Sequence, residues 1–261
     1  MLLIKYAADG SRLWSKNFGG VHIDYLTAFL IGSDGTIYLV GIAVNSDWDE
    51  IEDKFWALAI VAVDSEGIEL WSRQYERTDG AVPSDICQDP DTDDLYIAGK
   101  CKDDGFPGSE SDGFLLALTQ DGDWLWEQTV ITGSWRPIIN ITMTDAGNIL
   151  GIGRDSLSRH RTSDWRSVMA FVEHTPDGIR QSESYYVPPV SDYISLDAIT
   201  SDGAGAIYTV GYIAPASPPG PCVHPHPITY DTALLLKFEA VFSDDLDASV
   251  PAESVVEESA E

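Results

Sequence analysis

Basic residues are scarce in this chain: six lysines and nine arginines face 43 aspartates and glutamates, for a formal net charge of −28. A surface so dominated by one sign repels polyanions at long range, so neither nucleic acid nor an anionic bilayer is expected as a partner. The balance suits a protein working in high salt, where self-repulsion is screened, and equally an exported protein of low pI; composition leaves both open. Cysteine is scarce too. Cys87, Cys101 and Cys222 are too few for a disulfide framework and leave at least one thiol over. Cys87 and Cys101 flank one hairpin and form the one candidate pair, which spacing alone does not establish. Long apolar runs are missing, so no membrane insertion is expected. Met1-Leu-Leu-Ile precedes Lys5, too short a run for a signal peptide, so any leader is expected to lie outside this sequence. The expected location is extracellular or at the cell surface, with the cytoplasm as the alternative.

What the sequence does have is self-similarity. An apolar strand followed by an acidic-Gly turn recurs at Asp9-Gly10, Glu66-Gly67, Asp121-Gly122 and Asp177-Gly178, the glycines 57, 55 and 56 residues apart. Four residues after each glycine stand Trp14, Trp71, Trp126 and then Ser182. A second marker repeats in the other half of the unit: Ile37-Tyr-Leu-Val-Gly41, Leu95-Tyr-Ile-Ala-Gly99, Ile149-Leu-Gly-Ile-Gly153 and Ile207-Tyr-Thr-Val-Gly211. The segments are short, rich in β-branched and aromatic residues, and bounded by turn residues, so each unit of about 55 residues reads as four antiparallel strands. The expected fold is all-β: a β-propeller of about four to five blades, or an arc of a larger ring. Each tryptophan is expected to pack between neighbouring blades, with a weaker contact at Ser182.

The best copy runs Leu3-Ile-Lys-Tyr-Ala-Ala-Asp9-Gly10, Leu13-Trp14, Phe18-Gly19-Gly20, Asp24-Tyr25, Asp34-Gly35-Thr36-Ile37-Tyr38-Leu-Val-Gly41. This pattern resembles the bacterial and archaeal SBBP-type (seven-bladed-type) propeller repeat. The resemblance covers about residues 2 to 240. Later copies depart from it, with Asp91-Thr-Asp-Asp94 and Asp145-Ala-Gly147 in place of the second Asp-Gly. The resemblance implies architecture and carries no shared catalytic residues.

The propeller is expected over residues 1–242, in repeats of about 2–54, 55–113, 114–167 and 168–240, followed by an acidic disordered tail over 243–261. Strands add to seventeen, an outer pair, three full blades and three strands, which do not divide into whole blades. Ring closure and a homo-oligomer through blade edges are both compatible with that odd strand.

Propeller function resides in the channel or in the loops of one face. Asp24, Tyr25, Asp85, Arg136, Asp192 and Tyr193 stand at or near the starts of inner strands and are candidates for holding a sugar or cation, against a role in tying strand ends together. The loop 154–166 gathers four of the nine arginines. Its Arg159, Arg161 and Trp165 suit a carboxylate-bearing ligand, against salt bridging to a neighbouring acidic loop. Cys222, His224 and His226 are ligand types for a divalent metal, though so short a stretch rarely supplies a whole tetrahedral site; no other cofactor is expected. The run Asp89–Asp94 reads as a turn, since it lacks the central glycine and distal glutamate of a calcium loop. No nucleophile elbow, phosphate loop or zinc-protease signature occurs. Three functions fit: a non-enzymatic binding or structural module for a carbohydrate, peptide or protein; a propeller-type lyase or glycosidase working through Asp24, Asp85, Asp192 and Arg136; and a scaffold assembling through blade edges.

Overall fold

Six hairpins share one chemistry. Asp64 N–H donates to the Ile68 carbonyl at 2.9 Å, Gly67 N–H donates back to the Asp64 carbonyl at 2.9 Å, and Gly67 sits at φ 71°. The same two bonds recur at 7–11, 32–36, 119–123, 144–148 and 175–179. This is the three-residue hairpin in which a type I turn ends on a left-handed residue, the position for which glycine has no steric cost. The Asp89–Asp94 run is also a turn: Asp89 N–H bonds the Asp94 carbonyl at 2.8 Å and Asp93 takes the left-handed position at φ 63°. Aspartate tolerates that region because its short side chain bonds locally.

The computed structural model describes residues 1–19, 24–44, 56–75, 80–101, 113–130, 138–156, 167–186, 193–214, 232–239 and 255–258. Sheet 1 holds β1 (Leu2–Tyr6) and β2 (Arg12–Asn17); sheet 2 holds β3 (Asp24–Ile31), β4 (Ile37–Val44), β5 (Trp56–Val63) and β6 (Glu69–Tyr75). Sheet 3 holds β7 (Ala81–Gln88), β8 (Leu95–Cys101), β9 (Gly113–Leu118) and β10 (Trp124–Val130). Sheet 4 holds β11 (Ile138–Met143), β12 (Ile149–Ser156), β13 (Ser167–His174) and β14 (Arg180–Tyr186). Sheet 5 holds β15 (Tyr193–Ser201), β16 (Ala206–Ala214), β17 (Thr232–Glu239) and β18 (Val255–Glu258). Every pairing with a described register is antiparallel, and in each four-stranded sheet the strands follow chain order. The fold is an all-β propeller architecture of four-stranded blades plus one two-stranded half-blade.

The described strands number one more than the sequence count of seventeen. The extra one is β18, four residues within the 243–261 stretch that the sequence marks as an acidic tail. Val255 and Val256 are adjacent β-branched residues with strong strand preference, and they pair with Leu236 and Leu235 of β17.

The chain divides into two compact units, Met1–Gln128 and Thr129–Glu261. In the first, β4 and β5 are buried on both faces, which is why they read as nearly unbroken apolar runs. Leu39, Val61 and Val63 meet Met1, Leu3 and Phe18 of the sheet 1 segment. On the opposite face, Tyr38, Val40, Leu58, Ile60 and Ala62 pack with Ile86, Leu95, Ile97, Phe114, Leu116 and Leu118 of sheet 3. In the second unit, β11, β12 and β13 contact β15, and Leu150, Ile152, Met169, Ala170 and Phe171 are buried.

Two of the repeated tryptophans, Trp14 and Trp71, pack between sheets. A Cβ placed on Gly67, in the β5–β6 turn of sheet 2, would lie 3.1 Å from Cη2 of Trp14, and one on Gly122 of sheet 3 would lie 2.9 Å from Cη2 of Trp71. Each large ring therefore rests on the bare turn of the next sheet. The Tyr75 hydroxyl donates to the Gly122 carbonyl beside it, and burial pushes that phenol up to about 12.

The glycine of the second marker answers to a different constraint. Inner strands carry a bulge at one place: between Leu26 and Ala28, Pro83 and Asp85, Ile138 and Asn140, and Leu196 and Ala198. The bulge drives a carbonyl against the partner strand. A Cβ on Gly41 would lie 1.9 Å from the Tyr25 oxygen, one on Gly99 2.4 Å from that of Val82, and one on Gly211 1.9 Å from that of Ser195. Only glycine admits so close a backbone approach. In two sheets the extra residue also bonds across, Thr27 Oγ1 to the Val40 carbonyl and Ser84 Oγ to that of Ala98, both at 3.2 Å.

Gly41→Ala is expected to destabilise by about 2–4 kcal/mol, because backbone must move. Gly147→Ala, at φ 76° with open space around it, is expected to cost only about 1–2 kcal/mol. Urea unfolding of both variants tests this, and equal costs would remove the bulge explanation.

Candidate functional site

The polar residues of the β3–β4 turn are engaged in joining sheets. Ser33 N–H donates to Gln88 Oε1 at 2.9 Å, Ser33 Oγ to Asp93 Oδ1 at 2.6 Å, and Gln120 Nε2 to Asp34 Oδ2 at 3.1 Å. The same latch appears in the second unit, where Ser201 Oγ donates to Asp145 Oδ1 at 3.1 Å. Sheet 1 is fastened likewise: Lys5 Nζ donates to the Ser65 carbonyl at 2.6 Å and lies 3.5 Å from Glu66.

In the first unit, a cavity of about 480 Å³ opens where the ends of the sheet 1 segment meet sheet 2. Met1 and Gly19 contribute from the first segment, Asp24 and Ala43 from β3 and β4, Ala59, Ile60 and Val61 from β5, and Glu69, Ser72, Arg73 and Gln74 from β6. The Asp24 carboxylate presses on bare backbone, since a Cβ at Gly19 would lie 1.9 Å from its Oδ2. The Arg73 guanidinium lies 5.8 Å from the centre of the Trp71 ring. The walls thus offer carboxylates, a hydroxyl and an amide around a partly apolar floor, both donors and acceptors for one polar guest, while the Arg73 guanidinium lies with Trp71 on the opposite face of β6.

Of the residues singled out from the sequence, Asp24 lines this cavity. Its neighbour Tyr25 opposes Ile42 and is 48% exposed. Asp85 opposes Ala98 beyond the bulge of β7. Aligning the bulges puts Asp24 in register with Ala81 rather than with Asp85, so these two carboxylates occupy different steps of their blades. Tyr193 begins β15, with its backbone opposite Ala214. Arg136, Asp192, Arg159, Arg161, Trp165, Cys222, His224 and His226 lie outside the described residues. Among the described residues no group of three or more His, Cys, Asp or Glu side chains is gathered as a metal would require. The β6 contribution was not legible from sequence: Glu69 to Gln74 sit on an outer strand, and only the packing of sheet 1 against sheet 2 turns that strand into a wall.

Cys87 and Cys101 are not joined. Cys87 opposes Tyr96 near the turn and Cys101 opposes Ala81 at the far end of the same hairpin, several residues apart along the strands, well beyond disulfide reach. Burial holds the Cys87 thiol protonated, far above the usual thiol range, with Asp85 and Asp89 reinforcing it.

His174 ends β13 and is only 4% exposed. Burial, with the Arg180 guanidinium adding to it, pushes its imidazole down to about 4, and Arg180 is also its cross-strand partner. The folded protein keeps this residue neutral where the unfolded chain would take up a proton.

No family model matches the sequence, and no curated protein matches it. Among solved structures, a D477G ACO/RPE65 chimera aligns with a TM-score of 0.51 at 11% identity, over 98% of this chain and 55% of its own. The Hadza microbial sialidase Hz136 aligns with a TM-score of 0.50 at 9% identity, over 90% of this chain and 50% of its own. A protein of unknown function from Bacteroides caccae aligns at 0.46 and 8% identity, over 98% of this chain and 93% of that one. The chain spans about half the length of the chimera and the sialidase. At these identities the likeness shows the propeller-type fold alone.

The His174 contribution to stability should be complete above pH 6.5 and shrink as pH falls towards 4, because protons then bind the unfolded chain first. Urea unfolding at several pH values should show the wild-type advantage over His174→Leu narrowing across that window. A difference constant with pH would contradict it.

Proposed function

We propose that the protein is a non-enzymatic binding module of the SBBP propeller type, acting outside the cell or at its surface, and that the cavity beside Asp24 is its ligand site. The observation that carries this reading is the cavity itself. Its volume falls in the range of small-ligand sites, and the carboxylates of Asp24 and Glu69, the Ser72 hydroxyl that donates to Glu69, and the Gln74 amide belong to the residues that line it. A carbohydrate fits that mixture, since each sugar hydroxyl both donates and accepts. A peptide terminus or a protein loop would be recognised through the same groups.

The inter-sheet latches support the division of labour. Ser33, Asp34, Gln88, Asp93 and Gln120 bond one another across sheets, so the turn ends serve as scaffold. The charge of −28 favours neutral or cationic ligands.

Glycan-array screening followed by titration calorimetry tests the reading. Asp24→Asn is expected to weaken binding of a captured glycan by about tenfold or more, the loss from a charged hydrogen-bonding partner, and Gln74→Ala by about threefold to tenfold, the loss from a neutral one, with an unchanged circular dichroism spectrum. Affinity unaffected by both substitutions would remove the cavity as the site. Turnover of the glycan would overturn the non-enzymatic assignment.

A further inference from the structure

Sheet 1 is half a blade laid on a whole one, and two apolar surfaces stay bare around it. The first is its own outward face. Leu3 of β1 packs on Leu39, Val61 and Val63 of sheet 2, so Leu2, Ile4 and Tyr6 point the other way, where they are 55, 37 and 57% exposed. They stand eight, six and four residues before Gly10. The same places before Gly67, Gly122 and Gly178 hold Ala59, Val61 and Val63, then Phe114, Leu116 and Leu118, then Ala170, Val172 and His174, and all of these are buried. In β2, Trp14 and Lys16 reach Gly67 of sheet 2, which turns Leu13, also exposed, to the outward face.

The second surface is a strip of β3. Phe29 opposes Leu39 and Ile31 opposes Ile37, residues of the face that meets sheet 1, while Ala28 and Leu30 pack against the core shared with sheet 3. Leu26, at the bulge, opposes Gly41 on that same face. Sheet 1 covers Leu39 and stops short of the strip, where Leu26, Phe29 and Ile31 are 36, 59 and 63% exposed. Aligning the bulges puts Pro83, Ile138 and Leu196 at the step of Leu26, and Ile86 and Ile141 at the step of Phe29. All five are buried. Both bare surfaces are thus of a kind that the repeat covers elsewhere.

We propose that these two surfaces bury each other in a two-fold dimer of this chain. From the β3 strip to sheet 1 the face rises by the thickness of one sheet, and such a step fits a second copy of itself turned over. With the axis running along β1, sheet 1 of each copy lies on the β3 strip of the other. Leu2, Ile4, Tyr6 and Leu13 then meet Leu26, Phe29 and Ile31 of the second copy. Among the described residues β1 pairs with β2 alone, and its remaining edge comes to lie beside the second copy's β1. The seven side chains expose roughly 800 Å² on each copy, the share each partner brings to a standard protein interface. Charge does not oppose the contact locally: residues 1–31 carry Lys5, Arg12 and Lys16 against Asp9 and Asp24, in a chain of −28. The same surface serves on both copies, so the assembly closes at two. It rests on neither the cavity nor any glycan there.

The test mixes two single variants of the full chain, Ile4→Cys and Phe29→Cys, so that the new thiols cannot link within one chain. Under oxidation the mixture is expected to give a linked dimer beyond what either variant or the wild type gives alone. In sedimentation velocity the wild type is expected to form a dimer that grows with concentration, and nothing larger. Phe29→Ser and Tyr6→Ser should each weaken association by about tenfold or more, the worth of a buried aromatic anchor, with an unchanged circular dichroism spectrum. A protein monomeric at every concentration, assemblies larger than a dimer, association indifferent to both substitutions, or no excess linkage in the mixture would each overturn the proposal.

Discussion

The seating of a tryptophan ring on the glycine turn of the neighbouring sheet is the contact on which the stacking depends. Twisted sheets laid face to face diverge towards their outer strands, and the gap must be filled by something broad and flat. Trp14 over Gly67 and Trp71 over Gly122 fill it. The ring demands a turn without a Cβ, and the turn independently demands a residue at positive φ. Both requirements select glycine, which is why Asp-Gly and tryptophan recur together in the sequence. Where the ring is missing, the row is rebuilt in polar form: Asn148 Nδ2 donates to Glu173 Oε1 at 2.8 Å and Ser182 Oγ to Glu173 Oε2 at 3.2 Å.

Part of the acid is tied to this scaffold. Asp9, Asp34, Asp64, Asp89 and Asp202 each accept a backbone N–H within their own turns, a local bond that makes aspartate a turn former. The Ser11 hydroxyl and amide hold the Asp9 carboxyl below its ordinary range. Asp34 and Asp93 bond across to other sheets as well. Asp89 is buried, at 5% exposure, and its carboxylate is satisfied by the Asp91 and Thr92 N–H groups of its own turn, so at this turn acid is buried without being left unpaired.

The parts of the fold legible in the sequence are those set by local chemistry. The Asp-Gly turns, the apolar runs of β4 and β5 and the outer-strand tryptophans all announce themselves by spacing. The bulge in each inner strand does not, because Thr27, Ser84 and Asp197 share no residue type and only the cross-strand register exposes them. For the same reason Asp24 and Asp85 look equivalent in the sequence and stand at different steps in the sheets. The cavity was half legible: Asp24 is visible at a strand start, whereas Ser72 and Gln74 become walls only when a separate segment packs over β6. Strand β18 was hidden by composition, two valines within a run of acids and small residues.

Eighteen described strands do not divide into whole blades of four, and counting halves shows why. Among the described residues there are four inner pairs, β3 with β4, β7 with β8, β11 with β12 and β15 with β16, and five outer pairs, the first being β1 with β2 and the last β17 with β18. One outer pair is surplus, and the two at the ends of the chain share nearly the same leading strand. Their second strands differ. Strand β2 has six residues and carries Trp14, whereas β18 has four and ends in two glutamates. Among the described strands, the repeat therefore supplies one outer half more than it has inner halves.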